Sequence, residues 1–229
     1  MIWRVDQRME AVSEPDSRLP LAGLSGIASI ILSLGGFGLI GAAGFAVQEG
    51  TIEEVSEIVS KTPPGQVLLG VSIDMIGSVF FVLFVAGLWA RLRRWENSPA
   101  WLSAAALAAG ILAVAASLID KTLFFSLYSL SGEGLEAETA RVLFLTARAS
   151  FLLFGLFAGA MAGIAGVAIF RYRSFGVWLG WLGALAGVAG IASVLAPDSP
   201  VGQVPFFLVV IWIVAASLSL LRGRKASSQ

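Results

Sequence analysis

The chain of 229 residues has no cysteine and no histidine. The first absence excludes disulfides, thiolate metal sites and thiol nucleophiles. The second excludes Ser-His catalysis, histidine-ligated zinc and histidine-held haem. Charge is also scarce. Asp, Glu, Lys and Arg make up 13% of the residues, against about 25% in a typical soluble domain. Basic and acidic residues number fifteen each, so there is no net charge. No nucleic-acid motif is present. No metal, cofactor or nucleic acid is therefore expected, and the chain is read as no enzyme.

Apolar residues are abundant, at 57%, with a mean hydropathy of +0.87. Several uninterrupted runs reach the roughly 20 residues that cross a hydrocarbon layer of about 30 Å. Six spans are predicted, at about 19–47, 65–90, 100–119, 149–170, 175–196 and 204–221. Each must satisfy its own backbone hydrogen bonds in lipid, which makes them helices. The expected fold is all-α, a polytopic membrane bundle of six transmembrane helices over residues 19–221. Residues 1–18 precede it and a basic tail, 222–229, follows. Ile2, Val5, Met9 and Val12 predict a short surface helix in the first segment. Its four acids, ahead of so long an apolar run, do not fit a signal peptide.

Lys and Arg are unevenly divided between the two sides. Arg4, Arg8, Arg18, Arg91, Arg93, Arg94, Arg171, Arg173, Arg222, Arg224 and Lys225 fall on one side. Lys61, Lys121, Arg141 and Arg148 fall on the other. The positive-inside rule makes the first side, with both termini, cytoplasmic. Trp89, Trp95, Trp101 and Trp178 cluster at these ends as interfacial anchors, and the tail "RGRKASSQ" suits anionic lipid. On the opposite side, "TIEEVSEIVSKT" opens with a capping-box pattern, Thr51 with Glu54. Ile52, Val55, Ile58 and Val59 then share one face, which predicts a short amphipathic helix lying on the membrane interface. In the second loop on that side, Gly132 and Gly134 act as breakers. "WLSAAALAAG" from Trp101 and "WLGWLGALAG" from Trp178 align without gaps, a faint internal echo.

Small residues recur at helical spacing. The fourth span has Gly155, Gly159 and Gly163, and the fifth region has Gly176, Gly180, Gly183, Gly187 and Gly190. The first span has Ser25, Ser29 and Ser33, then Gly38, Gly41 and Gly44. Such stripes let helix backbones approach closely. Packing within the monomer, a face for a second copy or another membrane protein, and a substrate groove are all open, and the fourth and fifth spans are expected to pack on each other.

Charges within the spans carry the functional question. Asp74 interrupts the second span, Asp120 and Lys121 follow the third, and Arg148 precedes the fourth. A charge near mid-membrane costs roughly 2.5–3.5 kcal/mol on insertion scales, so these groups should face protein or water. At about 1.5 Å per residue, Asp74 lies roughly 5 Å and Asp120 about 15 Å outward of their span centres. Arg148 lies at about Asp120's depth, and Asp120–Arg148 is the expected ion pair, with Lys121 pointing elsewhere. The candidate polar cluster is Asp74, Ser78, Asp120, Lys121 and Arg148. Its four charges sum to zero, as a buried network requires.

The stretch "IDMIGSVFFVLFVAGLWARLRR" resembles the second span of the DUF4386 family, bacterial six-span proteins of unknown function. Asp74 and the pair Arg93-Arg94 fall at matching places. "ARASFLLFGLFAGAMAGIAGVAIFRYRSFGVWLGWLGALAG" is similar to its fourth and fifth spans. The third span departs, since relatives often carry charge there and none lies between Trp101 and Ile119. The resemblance implies a multi-pass protein of the bacterial plasma membrane and no defined activity. One functional reading is a non-enzymatic membrane protein acting by helix packing or by regulating a partner. The other is a small transporter or permease with an outward-facing polar cavity around Asp74, Asp120 and Arg148. An aspartyl dyad is disfavoured, because its two carboxylates must share a proton and the estimated depths differ by roughly 10 Å.

Overall fold

The computed structural model describes residues 19–40, 50–96, 99–131, 134–173, 175–196 and 204–222. The expected surface helix in 1–18, the end of the first span with Gly41 and Gly44, the breaker Gly132 and the tail from 223 lie outside the described residues. Seven helices follow in order: α1 Leu19–Ile40, α2 Ile52–Lys61, α3 Pro64–Trp95, α4 Trp101–Leu130, α5 Ala137–Tyr172, α6 Val177–Leu195 and α7 Val204–Arg222. All except α2 are long and apolar enough to cross a membrane. No strand occurs among the described residues.

The six long helices close into a ring. α3 packs on α1 and α4, α5 on α4 and α6, and α7 on α6 and α1. The ring encloses a core that includes Phe84, Leu88, Met161, Ile169, Leu179 and Trp212. Trp212 crosses from α7 to α6, where its Nε1–H donates to the Leu179 carbonyl at 3.1 Å. Gly183 makes room for it, since a methyl group there would lie 2.9 Å from that nitrogen.

The close approaches are made by small residues. A methyl added at Gly159 would lie 2.7 Å from the Ala186 carbonyl oxygen, and one at Gly166 would lie 2.7 Å from that of Gly180. Gly163 and Gly187 face each other, with an added methyl on either about 3 Å from the other's Cα (3.3 and 3.1 Å). Gly155 is roomier, and Gly180 faces the Phe170 ring. α5 and α6 thus fill each other's stripes. Gly176 belongs to no stripe: it precedes α6, and an added methyl there would meet only the Trp178 side chain. On α1, Gly36 abuts the backbone of Gly70 on α3, while Gly38 faces open space.

Three of the helices run beyond the predicted spans. α3 continues past Ala90 to Trp95, α4 runs through Asp120-Lys121 to Leu130, and α5 begins twelve residues before Ala149. At 1.5 Å per residue α4 is about 45 Å long and α5 about 54 Å, well beyond a hydrocarbon layer of about 30 Å. Aromatic and weakly polar turns such as "TLFFSLYSL" lower the local hydropathy without breaking the helix.

The projecting ends of α3, α4 and α5 support α2. Thr51 caps α2, its hydroxyl accepting from Glu54 N–H at 3.2 Å. The Glu54 carboxylate accepts from Gly50 N–H at 3.0 Å, one residue earlier than in an ideal capping box. Gly50 has φ of 67°, a conformation that favours glycine, and its carbonyl accepts from Arg141 Nε at 2.7 Å. The predicted amphipathic helix is present, and part of its apolar face packs on the bundle. Val55 is fully buried in a second core with Val67, Val71, Leu127, Tyr128 and Phe144. Glu53, Glu57 and Lys61 point outward, with Lys61 paired to Glu57.

At the opposite end, Glu96 closes the turn between α3 and α4. Its two carboxylate oxygens accept from Leu102 N–H at 2.9 Å and Ser103 N–H at 2.8 Å. These are orphan donors of the first turn of α4. Burial would raise the Glu96 pKa, but the Ser103 and Leu102 donors outweigh it and hold the carboxyl below its usual range, aided by the charge of Arg171.

Candidate functional site

Five helices wall an interior cavity in the half of the bundle nearest α2. It offers about 130 Å³ to the centres of water-sized molecules, enough for several waters or a small ligand. Each wall is one helical stripe. α3 contributes Val71, Asp74, Ser78 and Phe81, and α4 contributes Ser117, Asp120, Lys121 and Phe124. Both follow a three- and four-residue spacing that keeps side chains on one face. α5 adds Phe144, Arg148, Phe151 and Phe154; α1 adds Ser33 and Phe37; α7 adds Phe206.

All five members of the predicted polar cluster therefore line one cavity. Their pairing differs from expectation. Lys121 Nζ lies 3.2 Å from Asp74 Oδ2, and both side chains are well buried, 7% and 14% exposed. Lys121 also donates to the Ser117 hydroxyl, and to the Ser117 carbonyl at 3.4 Å. The expected Asp120–Arg148 pair gives way to this one, and Asp120 keeps a buried Oδ1 with no hydrogen-bond partner. Ser78 lines the cavity but directs its hydroxyl to the backbone, the Asp74 carbonyl, at 3.2 Å.

The helix bounds explain the error in depth. Counted from the ends that Glu96 joins, Asp74 is 21 residues from Trp95 and Lys121 is 20 from Trp101. Both then stand about 30 Å along their helices, side by side. Ending the third span at Ile119, where α4 runs on to Leu130, had set Asp120 too far outward. The depth argument against a carboxylate dyad falls away with it. What opposes a dyad is Lys121, which takes Asp74 as its partner.

The aromatic residues were missed in the sequence. Phe37 and Phe151 both stack near Phe206, each with ring centroids 5.8 Å away, joining α1, α7 and α5. Phe124 and Phe144 meet edge to face at 5.9 Å. Phe124 was legible, because it lies one turn beyond Asp120 on the same face. Phe206 was not, because α7 carries no charge before Arg222 at its far end to mark its inner side. No group of three or more acidic, His or Cys residues fit to hold a metal occurs among the described residues.

The fold and site define a class: a polytopic membrane protein whose six-helix ring encloses an aromatic cavity with an internal ion pair. The family model of DUF4386, a domain of unknown function, matches residues 21–221, and the chain belongs to that family. No curated protein and no solved structure matches it significantly.

Proposed function

We propose that this is a small-molecule-binding membrane protein of the carrier type, with the interior cavity as its binding site. The observation that carries the reading is the convergence of Asp74, Asp120, Lys121 and Arg148 on one cavity whose other walls are mostly phenyl rings and aliphatic side chains. Ionisable groups inside a membrane are costly and tend to mark ligand or ion pathways, and mixed apolar and polar lining is typical of ligand sites. The Lys and Arg asymmetry supports cytoplasmic termini, with the cavity toward the outer face of a plasma membrane. The likeness to bacterial six-span proteins supports a bacterial one. A partner-binding role through the α5 glycine stripe has less support, because α6 already fills that stripe.

The natural lack of cysteine makes the test direct. Ser33→Cys puts a thiol on the cavity wall, and Leu83→Cys puts one on the exposed apolar face of α3. A charged, membrane-impermeant thiol reagent added to intact cells or oriented vesicles should modify position 33 and spare position 83. Equal protection of both thiols would overturn the carrier reading. A reporter fused to the carboxyl terminus checks the topology separately.

A further inference from the structure

The charged groups of the cavity are not equally satisfied. Lys121 forms an ion pair with Asp74 and donates to the Ser117 hydroxyl and the Ser117 carbonyl. Asp74 thereby has a cation, and Arg148 has an interaction of its own. Asp120 differs. Its Oδ1 is buried without a hydrogen-bond partner, and an ionised carboxylate can only accept. What the site lacks is a donor, preferably a charged one, since charge-assisted hydrogen bonds are about twice as strong as neutral ones.

Resting on the carrier reading above, we propose that the cavity binds a small organic ammonium ion, with its charged nitrogen on Asp120 Oδ1 and its apolar body among the phenyl rings. An anion would bring further acceptors to Asp120, whose unmatched oxygen needs a donor. An inorganic cation needs several oxygen ligands, whereas these walls are mostly hydrocarbon. An organic cation fits both halves. Phenyl faces attract ammonium groups, and Phe124 stands one helical turn from Asp120, packed against Phe144. The room available suits a compound with a single ring. Of the positive charges that share the cavity, Lys121 is paired with Asp74.

The test uses the full chain in lipid nanodiscs, titrated with phenethylammonium, 2-phenylethanol, 3-phenylpropionate and sodium chloride, with empty nanodiscs subtracted. Phenethylammonium should bind saturably, at least tenfold more tightly than the alcohol, and sodium should not displace it. Asp120→Asn should weaken the ammonium at least tenfold and leave the alcohol unchanged. Asp120→Glu, which keeps the charge, should retain the preference and guards against a folding defect. If alcohol and ammonium bind alike, if the propionate binds more tightly, or if sodium competes, the ammonium assignment is overturned while the cavity remains a site. If no aromatic probe binds saturably, the carrier reading falls as well.

Discussion

The decisive residue is Lys121. It follows Asp120 in the sequence and binds Asp74 across the α3–α4 interface. Removing one member of a buried pair leaves the other charge desolvated and unmatched, which costs about 3–5 kcal/mol. Lys121→Met should lower the stability of the detergent-solubilised protein by about that much, read from thermal unfolding followed by tryptophan fluorescence. Asp74→Leu combined with Lys121→Met should recover most of the loss, because an apolar pair of similar volume needs no desolvation. If the double variant is as unstable as the single one, the pair is not the source of the effect. The presence of acids and bases in the cavity was legible from their interruption of apolar runs. Which acid meets which base was not, because it depends on register between helices, and ending the third span at Ile119 rather than Leu130 displaces its centre by about 9 Å.

Elements differ in how strictly their contacts are set. Glu96 is the cap that starts α4, and its loss should cost about 1 kcal/mol, as for other helix caps. Its folded pKa is lowered by the Leu102 and Ser103 donors despite burial. The stabilisation is therefore complete above the unfolded value of about 4.3 and is lost as pH falls through the folded one. The unfolding temperatures of the native protein and Glu96→Gln should differ at pH 7 and converge below about pH 4. The helix contacts offer a second comparison. Gly159→Ala places a methyl against the Ala186 carbonyl and should destabilise by about 1–3 kcal/mol, as overpacking does. Gly38→Ala meets nothing and should be neutral or stabilising by up to about 1 kcal/mol from helix propensity. The small-residue spacing on the fourth and fifth spans was visible in the sequence. Its partner was not, since a stripe that admits another helix does not specify which helix.

At the scale of the whole molecule, the described residues form two cores, one inside the ring and one under α2. The second rests on helix ends that outrun the membrane. Val55→Ser should raise backbone hydrogen exchange across residues 52–61 and leave α6 unchanged, measured by mass spectrometry in nanodiscs. Equal acceleration in α6 would mean that the two cores unfold together.

The sequence by itself determined the number of long helices, their all-helical character and the polar residues that interrupt them. Each follows from local chemistry, since a run of about 20 apolar residues has few other stable forms in lipid. The tertiary structure decided the Asp74–Lys121 pair, the unsatisfied oxygen of Asp120, the aromatic walls and the docking of α2. Those depend on how long helices are aligned against one another, and alignment is set by packing across the whole ring.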